Sequence, residues 1–170
     1  MIAINKEVWE KIREKAASYE MLFIDEVDGT ASDIIYMNNV LSLDISKDNP
    51  LLITPLEVRN GKDIMKTFAL WDTGATRTGV SMSAARRLSL EPTGKKQEIL
   101  TANGTILADT AFLEIKMPDN TYKQFEVHIV PEQDNSISIG LDVIMCGRFV
   151  IEPTETGARR TFTLPPIRPV

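Results

Sequence analysis

The chain has 170 residues, 43% hydrophobic and 25% charged, which is enough for one well-buried core and ordinary for a soluble folded domain. A net charge of -5 argues against nucleic acid or an anionic membrane as the main partner, and no stretch is long and apolar enough to span a bilayer. A single cysteine, Cys146, excludes an internal disulfide, and together with the single histidine, His128, it cannot build a zinc site, so no metal or cofactor is expected and a cytoplasmic setting is the default.

The first twenty residues carry charge throughout and lack the apolar segment of a secretory signal. Ile4, Val8, Ile12 and Ala16 recur on one face, predicting a helix over 4–19 that packs on its own domain. MLFIDEV and DIIYM then read as short strands around the turn residues Asp28, Gly29 and Thr30, and VLSLDI (40–45) alternates as a half-buried strand does. LLITPLEV and DIMKTFALW flank Arg59-Asn60-Gly61-Lys62, a strong hairpin signal, with Pro55 placing the first strand at an edge or a bulge. SMSAARRLSL suits a short helix capped by Ser81 and stopped before Pro92. QEIL and TILADTAFLEIKM flank a second hairpin turn, Ala102-Asn103-Gly104, and Met117-Pro118-Asp119-Asn120 turns into YKQFEVHIV. SISIG is followed by LDVIMCG, short enough for a helical turn or two, and FVIEP and RTFTLP close the chain as a strand pair around Thr156-Gly157-Ala158. No internal repeat is present, and the sum is a mainly β chain with two small helices and a mixed N-terminal piece.

Residues 68–80, FALWDTGATRTGV, raise a question of cost. An apolar strand ends on a carboxylate, Asp72, which is expensive to place there unless it is used. Gly74 permits a tight turn that exposes the carboxylate at a cleft, and the Thr73 hydroxyl can hold the loop still. One carboxylate is poorly suited to serve as both acid and base. Two within about 3 Å cannot both ionise, so they share a proton, one acting as base toward water while the other polarises a carbonyl. The chain contains one Asp-Thr-Gly, so the second carboxylate must come from a second copy across a two-fold axis. A plain surface turn is the alternative, because Asp, Thr and Gly are common turn residues. His128 reads as a strand residue, Cys146 as a small buried hydrophobe, and Asp109 and Asp142 as loop or capping residues.

FALWDTGATRTGV resembles the active-site signature of the retropepsin-like (retroviral-type) aspartic proteases, for which paired carboxylates are the established device. SMSAARRLSL is similar to the helix after the active-site loop in the cellular, ubiquitin-shuttle branch of that family. The hairpin around TANGT resembles the flap that closes over substrate, and ISIGLDVI resembles the hydrophobic-glycine-helix motif behind the loop. The likeness runs from about residue 50 to about residue 165. It implies a mainly β, acid-protease-like closed barrel with one or two short helices; the chain's own pattern adds an N-terminal helix and a small β extension over the first fifty residues, which match nothing in the minimal protease. The protease domain would span 49–165, after an accessory segment 1–48 and before a tail 166–170.

By that resemblance Asp72 is catalytic, the Thr73 hydroxyl bonds across the dimer, and the Gly74 carbonyl receives substrate backbone. Ala75 and Thr76 line the cleft, Ala102, Asn103, Gly104 and Thr105 cover it, and Gly140 is the packing glycine behind the loop. Three departures stand out. Leu141 occupies a position where retroviral members often carry an arginine bonded to the loop, Trp71 is bulkier than the usual aliphatic residue, and the flap is less rich in glycine. The implied function is an aspartic endopeptidase acting as a homodimer on peptide or protein substrates, without cofactor or metal. Two other readings stay open: a catalytically silent dimeric peptide-binding module, and a precursor held inactive by residues 1–48.

Overall fold

Among the described residues, short apolar runs bounded by turn residues become eleven strands. The computed structural model describes residues 35–37, 40–47, 51–101, 104–131 and 136–165. The strands are β1 (Ile35–Met37), β2 (Val40–Ser46), β3 (Ile53–Asn60), β4 (Asp63–Trp71), β5 (Gly79–Ser81) and β6 (Pro92–Thr101). They continue as β7 (Gly104–Lys116), β8 (Tyr122–Val130), β9 (Ile137–Ile139), β10 (Arg148–Pro153) and β11 (Gly157–Thr163). Two helices interrupt them, α1 (Met82–Arg87) and α2 (Leu141–Ile144).

Local chemistry accounts for most boundaries. Asn60 pairs with Asp63, leaving Gly61 and Lys62 as the hairpin loop, and Gly61 takes φ +57°, where glycine meets no Cβ penalty. Ser81 caps α1 as expected, its hydroxyl accepting from the Ala84 amide at 3.3 Å. Asn120, at φ +63°, completes the turn between β7 and β8.

Seven strands form one sheet in the order β3-β4-β9-β5-β8-β7-β6, and β3 also pairs with β7 at Val58↔Ile115 and Arg59↔Glu114. That second pairing closes a six-strand barrel and leaves β6 outside it as the hairpin mate of β7. The seam carries a two-point ion pair, Arg59 Nε and Nη2 each 3.0 Å from a Glu114 oxygen, with Arg59 lying 3.8 Å over the Tyr122 ring. β7 reaches β3 only at these two residues, so Pro55 lies on the unpaired side of β3, where its missing donor costs nothing. Alternation fills the interior: Ala111, Leu113 and Ile115 of β7 point in with Val58, Ala69, Val80, Val127, Ile137 and Ile139.

A second, antiparallel sheet runs β1-β2-β11-β10. It draws residues 40–46 onto the C-terminal hairpin, with β2 and β11 in register from Ser46↔Gly157 to Val40↔Thr163. A Cβ on Gly157 would fall 1.8 Å from the Ile45 carbonyl oxygen, so only glycine fits there. Trp71, the last residue of β4, joins this sheet to the barrel. It stacks on Phe149 at 5.4 Å and 13° and packs tilted against Phe162 at 5.1 Å, while the fully buried Arg160 lies 4.7 Å over its ring.

The mainly β closed barrel with two short helices agrees with the expected class. The expected helix over 4–19, the strand MLFIDEV and the tail 166–170 lie outside the described residues.

Candidate active site

β4 and β5 follow one another in sequence, yet β9 lies between them in the sheet. The connecting loop, 72–78, must therefore cross over the end of β9. Trp71 pairs with Ile139, and the next amide, that of Asp72, donates to the Ile139 carbonyl at 2.8 Å. Beyond the crossing, the Leu141 amide donates to the Ala75 carbonyl at 2.8 Å. At the crossing itself sits buried Gly140. A Cβ there would lie 2.4 Å from the Arg77 carbonyl carbon and 2.6 Å from its oxygen, closer than any side chain tolerates.

Asp72 is half-buried at the mouth of this loop. Its Oδ1 accepts the Gly74 amide at 2.9 Å and its carbonyl accepts the Ala75 amide at 3.2 Å, so one carboxylate oxygen is fixed by a tight turn. A Cβ at position 74 would press on that same oxygen at 3.2 Å. Beneath, Trp71 is anchored three ways: its amide donates to the Leu52 carbonyl at 2.7 Å, its Nε1 donates to the buried Thr54 hydroxyl at 2.7 Å, and its ring rests on Phe149. The bulk that looked out of place in the sequence is used by the second sheet.

Behind the loop lies a lock that sequence reasoning missed. Asp142, in the first turn of α2, takes the Thr78 hydroxyl on Oδ1 at 2.9 Å and the Thr78 amide on both oxygens at 3.0 and 3.1 Å. The Thr78 hydroxyl in turn accepts the Gly140 amide at 3.1 Å. Thr78 is fully buried, so these bonds satisfy donors that water cannot reach. Leu141 cannot offer the polar link an arginine would make; its neighbour Asp142 offers one to the same loop. A carboxylate in the first turn of a helix was legible as a cap, but its partner, 64 positions away, was not.

The loop's far side carries a second polar cluster. Arg77 Nη1 meets Glu126 Oε2 at 3.0 Å, and the Thr110 hydroxyl donates to Glu126 Oε1 at 3.0 Å. The Arg77 bond, with the Thr110 bond beside it, holds the Glu126 carboxyl below the usual carboxylate range. His128 is a satisfied strand residue: its ring Nε2 is 2.8 Å from Gln97 Oε1 and its amide donates to the Thr78 carbonyl at 3.0 Å. Burial pulls its imidazole below the ordinary 6.5, Arg77 adds to that, and Asp142 and Glu126 pull the other way.

Of the residues singled out in the sequence, Asp72, Gly74, Ala75 and Gly140 are brought together by this hydrogen-bonded crossing. Thr73, Gly74 and Thr76 are exposed and Ala75 is half-buried. Gly104 and Thr105 are exposed at the start of β7, where the Gly104 carbonyl accepts the Thr101 hydroxyl at 2.8 Å; they make no hydrogen bond to the Asp72 loop among the described residues. Ala102 and Asn103 lie outside the described residues.

The aspartyl protease family model matches residues 54–143, just over half of the chain and all of the crossing described above. The chain belongs to the aspartyl protease family. Among solved structures it is similar to the solution structure of the Simian Foamy Virus (mac) protease, at 26% identity over 54% of this chain and 92% of that one, TM-score 0.39. It is also similar to the crystal structure of a retropepsin-like aspartic protease from Rickettsia conorii, at 18% identity over 74% of this chain and 92% of that one, TM-score 0.47. No curated protein matches it.

Proposed function

We propose that the chain is an aspartic endopeptidase whose active site forms when two copies set their Asp72 carboxylates face to face. Family membership supports the chemistry, and the crossing at Gly140 supports the residue. One observation carries the reading: a half-buried aspartate whose Oδ1 is pinned by the Gly74 amide, on a loop locked from behind through Thr78 and Asp142. The Gly74 bond alone is what a plain turn would give; the lock through Thr78 and Asp142 goes beyond what a plain turn needs. Preorganisation of this kind is what acid–base work on water requires.

In the reaction a water molecule lies between the two carboxylates, which hold one proton between them. The ionised member takes a proton from the water as its oxygen attacks the scissile carbonyl carbon. The protonated member donates its hydrogen to the carbonyl oxygen, giving a neutral tetrahedral diol. Breaking the C–N bond returns a proton to the leaving amine and restores the shared proton, with no covalent intermediate. The substrate runs extended, adding backbone hydrogen bonds between the Gly74 side of the loop and the β6–β7 hairpin. In this reading the hydroxyl of Thr73, a residue exposed beside the carboxylate, bonds to the other copy.

Asp72→Asn tests this on a peptide library at mildly acidic pH. Cleavage should fall by at least about a thousandfold while the chain stays folded and its assembly state is unchanged. Retained cleavage would remove Asp72 from the mechanism.

A further inference from the structure

Between Pro92 and Lys96 the register of β6 on β7 slips: Thr93, Gly94 and Lys95 stand opposite the single residue Thr110. Gly94, at φ +82°, makes the bend that this bulge requires. The bulge sits at the base of the β6–β7 hairpin, and two polar ties bracket it. Beyond it, the Gln97 side chain meets the His128 ring at 2.8 Å. Before it, the Thr93 and Thr110 hydroxyls are 2.5 Å apart, and Thr110 leads on to Glu126. Proton counting gives this second tie a direction. The one hydroxyl hydrogen of Thr110 goes to Glu126 Oε1, so Thr93 must donate to Thr110. The Thr93 oxygen is left to accept the Lys95 amide at 3.2 Å, inside the bulge itself. Arg77 closes the other end, its Nη1 reaching Glu126 Oε2 at 3.0 Å and the Glu126 carbonyl at 3.4 Å. Every donor in the chain Thr93–Thr110–Glu126–Arg77 is thus oriented toward one carboxylate.

We propose that Glu126 is a positioning residue for cleavage: it ties the hairpin base to the Asp72 loop, so that the substrate's cover and the loop's exit keep one relative placement. The inference rests on the reading of Asp72 as catalytic and of the hairpin as the cover, and adds a residue to it. Arg77 lies in the loop that Asp72 opens, one residue before the locked Thr78, and Thr93 lies on the strand that leads to the hairpin's turn. Asp142 holds that loop from behind; Glu126 holds it from the hairpin side. An exposed ion pair alone would be worth little, and the Arg77 and Glu126 side chains are 35% and 22% exposed. Thr110 makes the difference, being fully buried with Glu126 as its acceptor. A buried hydroxyl that loses its acceptor cannot turn to water, so this bond fixes the carboxylate on the side that solvent does not reach. The other oxygen is then presented to Arg77. A carboxylate serves both ends because it has two acceptor oxygens, where an amide has one.

Amide hydrogen exchange on the full chain tests the tie without requiring activity. Thr93→Val removes the hydroxyl at the hairpin end, and Arg77→Met removes the cation at the loop end. If Glu126 joins the two, Thr93→Val should speed exchange in residues 73–78 and Arg77→Met should speed it in residues 93–97, each by about fivefold, the scale of one ordinary hydrogen bond. Glu126→Ala should do both, and adding Thr93→Val to it should change neither segment by more than about twofold. In peptide cleavage Thr93→Val should raise KM about fivefold with kcat held within about twofold, and Thr93→Ser, which keeps the hydroxyl, should match wild type. A loss of stability alone would move neither parameter in a chain that stays folded, which the urea midpoint checks. Variants that loosen only their own end, or a Thr93→Val chain with unchanged KM, overturn the proposal and leave the protease reading standing if Asp72→Asn is still inactive. A wild-type chain that cleaves no peptide overturns that reading and the positioning role with it, and the exchange pattern tells this apart from a failed tie.

Discussion

Asp142 bonds to the Asp72 loop only through Thr78, yet it holds the loop's exit by both the amide and the hydroxyl of a fully buried residue. Asp142→Ala leaves those donors without an acceptor where water cannot replace it, at a cost of about 2 kcal/mol. We expect the urea midpoint to drop and kcat/KM to fall with it, because a loosened loop misplaces the Asp72 carboxylate; unchanged values would show that the lock is idle. His128 gives a pH dependence of determined sign. Its folded pKa lies below 6.5, so between the two values the unfolded chain binds a proton that the folded chain refuses. That contribution is fully present above the unfolded value and is lost as pH falls through the folded one. Stability should therefore decline as pH falls below about 7, and His128→Gln, measured by urea titration, should decline less. Glu126, lowered by Arg77, adds its own loss only further into acid, below the ordinary 4.5.

Elements defined by local chemistry were legible in the sequence. Gly61 at a positive φ, the Ser81 cap and the alternation in β7 act over a few residues, so a short window contains all they need. What was not legible depends on distant partners: β9 inserting between β4 and β5, β2 crossing to β11, and Asp142 reaching Thr78. For the site, the Asp-Thr-Gly loop could be read directly and Gly140 through the family resemblance, whereas the second sheet's claim on Trp71 could not, since nothing near FALW announces Phe149. Two variants test these element-scale contacts. Gly140→Ala forces a methyl carbon into the Arg77 backbone, which cannot swing aside as a side chain would, so we expect loss of the crossing, with at least about 3 kcal/mol of stability and all measurable cleavage. Trp71→Leu removes the stack on Phe149 and strands the buried Thr54 hydroxyl; about 3 kcal/mol should be lost by chemical denaturation, and a smaller loss than Ile→Val-type changes give would mean the two sheets are held together elsewhere.

At the scale of the whole molecule, one barrel supplies one Asp72, fixed and half-buried. Half of an acid–base pair is a poor catalyst, and a two-fold axis is the cheapest way for a single sequence to make the other half. The most direct measurement mixes wild-type chain with inactive Asp72→Asn chain at constant total concentration, lets subunits exchange, and follows peptide cleavage. If each site needs an Asp72 from both copies, mixed dimers are silent and activity falls as the square of the wild-type fraction, to about one quarter at equal mixing. A straight-line fall, with about one half remaining at that point, would mean that each chain cleaves with its own carboxylate alone.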